Sequence, residues 1–226
     1  MLSTLKGPDE KIRIPGWYDD VVPPTEKEIQ LLREAPFDEE ADKRELGLKE
    51  YLLGLTGVES RKVLLFSPTC NIAGFSAGYT GPGSKTVLPA EASVKVDFRL
   101  VEAQKPNLLF KRLKDYLRRK GFGDITVTKH GGYEPAKTPV DDPFVTRVIG
   151  TAERVYGLKP VVWPCMAGTS PIYVIRNRMG IPVASAGGVG YPGSLIHAPN
   201  ENIRIKDYCN SIKYVAALIH SYARNQ

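Results

Sequence analysis

The sequence predicts a fold that joins an α+β part, residues 1–132, to an α/β part, residues 133–226. Apolar and polar residues alternate from Ala92 to Phe98, as in a strand with one buried face. A helical pattern over Pro106–Lys120 and a second alternating run over Ile125–Lys129 follow that strand. The order strand, helix, strand is typical of a small ferredoxin-like sandwich.

The segment before this sandwich is rich in turns and then becomes helical. Ile12 and Ile14, with a polar residue between them, predict a short strand. Thr25 predicts the N-cap of a helix that ends at Ala35, because Glu28 can complete a capping box. Two more helices are predicted over Asp38–Leu46 and Lys49–Leu55.

The second part begins after Gly131-Gly132 and alternates helices with short apolar runs. Asp142 predicts the N-cap of a helix that has Pro143 in its first turn and ends at Gly157. The apolar runs Val161–Trp163 and Ile181–Ala186 predict buried strands. The last helix, residues 206–224, should cover the resulting sheet with one apolar face. That face comprises Tyr208, Ile212, Val215 and Ile219.

Length and composition indicate a globular protein. The 226 residues, 42% of them hydrophobic, suffice for one large or two modest domains. No apolar run reaches the roughly 18 residues that a membrane-spanning helix needs, so we expect no membrane partner and a cytoplasmic location. The three cysteines are far apart in the sequence and favour neither a disulfide framework nor a thiolate metal site.

The net charge of +6 is concentrated on the predicted helix at 106–120. Leu109, Leu113 and Leu117 recur there at core spacing, so the basic residues should form the solvated outer face of the helix. We expect no nucleic-acid partner, because no stacking-aromatic motif or zinc-finger spacing accompanies the charge. Nucleic-acid binding by this helix is the minor alternative.

One histidine stands out as a candidate for chemistry. His197 lies in a loop braced by glycine and proline between the predicted strand at 181–186 and the last helix. Ligands are expected where loops leave the carboxyl ends of strands in α/β sheets. A neutral imidazole is a common zinc ligand, and Asn200 and Glu201 could orient it through hydrogen bonds. The alternative is that His197 only hydrogen-bonds its own loop.

The segment GYPGSLIHAPNE around this histidine resembles the C-terminal metal-ligand segment of a zinc metallopeptidase family. That family contains carnosine-type dipeptidases, carboxypeptidase G, acetylornithine deacetylase and succinyl-diaminopimelate desuccinylase. The resemblance implies that His197 is a ligand of a two-metal zinc site, in which cobalt or manganese could replace zinc. It also implies amide hydrolysis by a metal-activated water, with a small peptide or an acyl-amino acid as substrate.

A second segment, PTCNIAGFSAGYTGPGSKTVLPAEASVKVDFRLV, resembles the lid, or dimerisation, domain of the dipeptidase branch. Carried over residue by residue, Thr86 and Arg99 contact the substrate, and Arg99 binds its carboxylate. A guanidinium suits that role because it forms bidentate, charge-assisted bonds to a carboxylate. The alternative for Arg99 is a strand residue in a surface ion pair. The resemblance also implies a homo-oligomer formed through the lid.

A third segment, CMAGTSPIYVI, predicts a helix that starts at a glycine-containing turn and presents backbone N–H groups to an anion. The family usually has Arg-x-Gly-Gly-Ser-x-Pro at this turn. Gly168 and Thr169 are therefore candidates for substrate binding, since a threonine hydroxyl can replace that of serine. Cys165 stands where the family usually has arginine, which leaves the substrate open.

Only the later part of the family's pattern is present in this sequence. The Glu39-Glu40 pair lacks the apolar strand that precedes the family's catalytic Glu-Glu pair, and we interpret it as a solvated helix face. No catalytic residue is therefore assigned. The resemblance predicts the C-terminal portion of a dipeptidase, deacylase or carboxypeptidase: a lid at 1–132 and the second half of the catalytic domain at 133–226. Such a chain should be inactive alone and should bind an N-terminal half. The alternative is a non-catalytic oligomerisation or small-anion binding module.

Overall fold

The structure, a computed structural model that describes residues 1–185 and 187–223, combines helices with one small sheet. Its regular elements are α1 (Glu26–Glu34), α2 (Glu39–Leu46), α3 (Gly57–Phe66), β1 (Thr69–Ala77), β2 (Ala92–Arg99), α4 (Pro106–Arg119), α5 (Pro143–Tyr156) and α6 (Ile205–Ala223), with short 3-10 or π-helical turns at Leu2–Thr4, Leu52–Gly54 and Val174–Arg178. None of the helices in the described ranges is long and apolar enough to cross a membrane.

The chain forms two compact units. The first unit contains Met1–Pro24 and Glu39–Pro135, and the second contains Thr25–Asp38 and the residues from Ala136 onward. The segment that carries α1 therefore groups with the C-terminal part of the chain. The domain boundary between residues 132 and 133 stays a prediction.

The first unit is built on the antiparallel pair β1–β2 and on α4. Thr69 pairs with Arg99 at one end of the sheet, and the register shifts at a bulge between Ile72 and Gly74. The core contains Leu5, Ile12, Ile14, Trp17, Cys70, Leu109, Tyr116 and Leu117. Buried Gln104 donates its side-chain N–H to the carbonyl of Trp17 at 2.7 Å, which fastens the turn-rich N-terminal segment. The predictions of β2 and of α4 as amphipathic are confirmed.

Three predicted elements of the first unit are wrong, and one of them is the short strand at Ile12 and Ile14, because Ile12 forms only an isolated bridge with Lys6. Ile125–Lys129 forms no strand, because no described segment pairs with it, although Val127 packs against the core as its alternation indicates. The helix predicted over Lys49–Leu55 shrinks to a 3-10 turn at Leu52–Gly54. Backbone there is left-handed at both Leu53 and Gly54, which a continuous α-helix does not allow. The neighbouring helix α3 was not predicted.

Two helices of the second unit follow their predicted caps. Thr25 and Glu28 form the capping box of α1. Asp142 caps α5 through a 2.8 Å hydrogen bond from the backbone N–H of Phe144, and Gly157 ends the helix in a left-handed conformation. Both predictions are confirmed.

The sheet predicted for the second unit is absent from its described residues. Val161–Trp163 and residues 181–185 are not strands, and Ala186 lies outside the described residues. Helix α6 packs on α5 instead, through Tyr214, Val148 and Ala152. The prediction that Tyr208, Ile212, Val215 and Ile219 would face a sheet is therefore wrong for this structure, in which all four are exposed.

Candidate functional site

The loop of residues 191–204, here the His197 loop, is held closed by hydrogen bonds across its base. Ser194 is buried, and its backbone N–H donates to the carbonyl of Tyr191 at 2.9 Å. The carbonyl of Ser194 accepts a 3.0 Å hydrogen bond from the backbone N–H of Asn202. The guanidinium of Arg204 lies 3.8 Å from the centroid of the Tyr191 ring, which adds a cation–π contact.

The side chain of Asn202 adds three more hydrogen bonds to this closure. Its amide nitrogen donates to the carbonyls of Asn200, at 3.0 Å, and Gly193, at 3.3 Å. Its amide oxygen accepts from the hydroxyl of Tyr191. We call Tyr191, Asn202 and Arg204 the clasp. The sequence alone does not single out these residues, although an asparagine that ends a glycine-rich loop is a common partner for backbone groups.

The clasp encloses three non-glycine residues whose backbone is left-handed. Leu195 has a φ of 53°, His197 of 65° and Asn200 of 66°. Side chains with a Cβ disfavour this region, so the surrounding contacts must impose it. The result is an exposed imidazole at a fixed point of a constrained loop.

In the described residues, His197 has neither the predicted hydrogen bond to Glu201 nor a cluster of further metal-ligating side chains beside it. Glu201 is exposed, and its backbone N–H donates to the carbonyl of Ala198 at 3.3 Å, but no hydrogen bond links its carboxylate to His197 in residues 187–223. No group of three or more histidine, cysteine, aspartate or glutamate side chains that could hold a metal occurs in the described residues. The ligand role of His197 and the orienting role of Glu201 stay predictions.

The predicted substrate residues of the first unit lie on and beside the sheet. Arg99 is the last residue of β2, and its Nε donates to the carboxylate of Asp97 at 2.7 Å. This is the surface ion pair of the alternative interpretation, with both side chains half exposed. Thr86 is exposed in the connection between β1 and β2. Neither observation tests substrate binding.

The predicted anion turn of the second unit is open to solvent. Gly168 and Thr169 are exposed, and Cys165 is half-buried. The π-helical turn Val174–Arg178 follows only after Pro171, so the predicted helix does not start at the glycine-containing turn. The substrate-binding role of Gly168 and Thr169 stays a prediction.

Comparison with known proteins decides the family. The pattern of the peptidase family M20/M25/M40 matches residues 20–221. The chain belongs to this family. It is 27% identical over 222 residues to a Beta-Ala-His dipeptidase of Mus musculus, covering 96% of this chain and 45% of that protein. It is 28% identical over 242 residues to a Cys-Gly metallodipeptidase of Candida albicans, covering 99% and 47%.

Solved structures of M20 enzymes share the fold of this M20 chain. An M20 family metallo-carboxypeptidase from Sulfolobus solfataricus matches with a TM-score of 0.90 and 41% identity, covering 96% of this chain and 50% of that one. Human carnosine dipeptidase 1 matches with a TM-score of 0.73 and 26% identity, covering 96% and 46%. The chain therefore spans about half the length of the relatives it matches.

The family is one of metallopeptidases, so the described residues can be compared with what a divalent metal needs. A catalytic zinc site takes about three protein ligands and keeps one open position. The described residues supply one exposed imidazole and no cluster of donors around it. By themselves they do not fit a complete metal site.

Proposed function

We propose that this chain is the C-terminal portion of an M20 metal-dependent amide hydrolase, a dipeptidase or an N-acyl-amino-acid deacylase or carboxypeptidase. The observation that carries the proposal is the match of 96% of the chain to half of an M20 metallo-carboxypeptidase, at a TM-score of 0.90. His197 contributes one metal ligand from its clasped loop, and Glu201 orients it. The other ligands, for zinc or for cobalt or manganese, come from the half that this chain does not match.

The first unit supplies substrate binding and assembly in this proposal. Arg99 exchanges its bond to Asp97 for a substrate carboxylate, and Thr86 is the other substrate-binding residue of this unit. In the second unit, described by itself, the substrate-binding residues are Gly168 and Thr169, through backbone N–H and hydroxyl groups. The ferredoxin-like lid forms a homo-oligomer. Exposed Ile72 and Phe75 on β1 support an apolar contact there.

The test compares the chain alone with the chain co-expressed with the unmatched half of the S. solfataricus carboxypeptidase. We expect almost no zinc per mole of chain alone and no cleavage of dipeptides or acyl-amino acids. The co-expressed complex should hold zinc and cleave. His197→Ala should lower both, whereas His220→Ala, an exposed histidine of α6, should leave both unchanged. Metal-dependent turnover by the chain alone would show that the inactive-alone proposal is wrong.

A non-catalytic module is the second candidate, and the absence of a donor cluster in the described residues favours it. Such a module would keep the lid for oligomerisation or would bind a small anion. An acyl-amino acid would then raise the melting temperature, while the assembled, metal-loaded complex would show no turnover. That combination would replace the hydrolase proposal.

A further inference from the structure

The outer side of α4 carries a row of positive charge. Lys111, Lys114 and Arg118 are exposed and follow one another at intervals of three and four residues, which places them along one side of the helix. Asn107 begins the same row, and its side-chain oxygen accepts a hydrogen bond from the ammonium of Lys129 at 2.5 Å. We call these four cations the cationic row, which extends about 16 Å along the helix.

Most of this charge has no partner inside the first unit. Among the described residues, the three lysines of the row form no ion pair, although the exposed Asp124 lies in the loop that follows α4. Arg118 pairs with Asp115 at 3.3 Å, but both side chains are well exposed, and such a pair contributes little. Like charges three and four residues apart on a helix repel one another. An external anion would relieve a repulsion that the unit leaves uncompensated.

A small pocket lies beside the C-terminal half of the cationic row. It has a volume of about 200 Å³. Lys114 and Arg118 line it together with four apolar side chains, those of Leu117, Phe122, Ile125 and Val127. Leu117 is buried in the core of the first unit, and Phe122 and Val127 pack against that core. The fold therefore fixes most of the apolar wall of the pocket.

The volume of the pocket limits what can enter it. Sites for drug-sized ligands usually have about 300–1,000 Å³. A cavity of about 150 Å³ with apolar walls, in contrast, holds one benzene molecule. The pocket therefore has room for one apolar side chain of the size of leucine and not for a larger ligand. An apolar anchor in a pocket, with polar contacts around it, is a common way for a partner to dock on a protein surface.

The cationic row determines what must lie on either side of that apolar anchor. A segment in extended conformation rises about 3.3 Å per residue, so about five residues span the row. Carboxylates on such a segment would form charge-assisted hydrogen bonds with the ammonium and guanidinium groups. A nucleic acid fits less well, because bases stack on open aromatic faces. The Lys114 ammonium already lies 5.9 Å from the centroid of the Phe110 ring, and Tyr116 is buried.

We propose that the cationic row and the pocket beside it form a docking site for an acidic peptide segment of a partner protein. One apolar side chain of the segment enters the pocket, and carboxylates on both sides of it bind Lys114, Arg118 and the other lysines of the row. The site adds a protein partner to the chain and goes beyond the proposed hydrolase function. It uses none of the residues assigned to substrate or metal, so it does not depend on that function.

The experiment measures the binding of designed peptides to the 226-residue chain by fluorescence anisotropy. The first labelled peptide consists of aspartate and glutamate residues with one central leucine and is long enough to cross the row. The second has serine in place of the leucine, and the third has lysine in place of every acidic residue. A single-stranded oligonucleotide with the charge of the acidic peptides is the fourth probe.

Three variants separate the pocket from the charge. Lys114→Glu reverses one charge of the row. Arg119→Glu is its matched control, because it reverses an exposed charge of α4 that does not line the pocket. Gly123→Leu fills the pocket, because Gly123 lines it, has no left-handed φ, and would place a Cβ in ordinary contact with Cγ of Arg118 at 3.7 Å. All three positions are exposed, so the melting temperatures should stay at wild-type values.

We expect the wild type to bind the leucine peptide at least about tenfold more tightly than the serine peptide, because the pocket removes one apolar side chain from water. The lysine peptide should not bind. Lys114→Glu should weaken both acidic peptides by at least about fivefold and Arg119→Glu by less than about twofold. Gly123→Leu should make the affinities of the leucine and serine peptides equal.

Four outcomes would overturn the proposal. They are no binding of the leucine peptide to the wild type, equal affinities of the wild type for the leucine and serine peptides, equal losses in Lys114→Glu and Arg119→Glu, and tighter binding of the oligonucleotide than of the leucine peptide. The last outcome would identify the row as a nucleic-acid surface instead. Because none of these measurements involves turnover, an inactive chain that binds the leucine peptide would still support the docking site.

Discussion

Replacing Lys137 with methionine should weaken the attachment of α1 to its unit by about 3 kcal/mol. The ammonium of Lys137 lies 2.7 Å from one carboxylate oxygen of Glu28, whose side chain is 4% exposed. The other oxygen accepts hydrogen bonds from the backbone N–H of Thr25, at 2.8 Å, and from its hydroxyl, at 3.0 Å. Removing one partner of a buried pair costs about 3–5 kcal/mol, and the bonds from Thr25 that remain place this case at the lower end.

The loss should depend on pH in a defined direction. Burial raises the pKa of Glu28, but the hydrogen bond and charge of Lys137 and the bonds from Thr25 outweigh it, so the pKa lies below the ordinary value of 4.5. A carboxyl whose pKa is lowered by folding stabilises the protein above the unfolded pKa and loses that contribution as pH falls through the folded pKa. The stability that Lys137→Met loses relative to the wild type should therefore have its full value near pH 7 and decrease below about pH 4.5.

Amide hydrogen exchange resolves this local effect. A loss of about 3 kcal/mol corresponds to exchange about 100-fold faster for the protected amides of α1, if they exchange through opening of this segment. Arg33→Met is the matched control, because Arg33 pairs with Glu26 on the same helix at 3.1 Å but both side chains are more than half exposed. That control should cost no more than about 0.5 kcal/mol. Similar exchange in the two variants would refute the reasoning.

Three further perturbations follow from single contacts. Gly157→Ala should lower the free energy of unfolding by about 1 kcal/mol in a urea titration, because φ is +68° there; a Cβ would meet nothing within 4 Å, so the cost comes from the backbone alone. Gly150→Ala, inside α5, should instead raise the free energy of unfolding by up to about 1 kcal/mol. Leu109→Ala should cost about 2–5 kcal/mol in the same titration, because Leu109 is buried in the core of the first unit, and a smaller loss would mean that the site collapses around the cavity. Asn202→Ala should speed amide exchange in residues 193–202 and broaden the imidazole NMR signals of His197, with unchanged exchange in α5 as the internal control.

Helix ends were the most predictable feature of the fold. The caps at Thr25, Asp142 and Gly157 depend on side chains and backbone angles within one turn, and all three were predicted from the sequence. Family membership was equally accessible, because the segment around His197 carries a short and specific pattern. In both cases the information lies in a few neighbouring residues.

Strands and buried faces were predicted less well, because they depend on partners far away in sequence or outside the described residues. The runs at 125–129 and 161–163 have strand-like composition, but a strand also needs a neighbour to accept its hydrogen bonds. Tyr208 and Ile212 have the spacing of a buried face, yet they are exposed while Tyr214 is buried. An apolar pattern shows that a surface is suited to packing, and it does not show what packs on it.

In the His197 loop, the energetic cost of the left-handed backbone can be compared with the hydrogen bonds that the clasp contributes. Each left-handed non-glycine residue costs about 1–2 kcal/mol, so Leu195, His197 and Asn200 together cost several. Hydrogen bonds contribute about 1 kcal/mol each, and those made by Asn202 across the base of the loop are comparable in sum. The backbone cost and the hydrogen-bond contribution therefore nearly cancel, and losing the side chain of Asn202 should release the imidazole from its fixed position. In the proposed function His197 is one metal ligand, and a loop that holds its imidazole in one position suits that role.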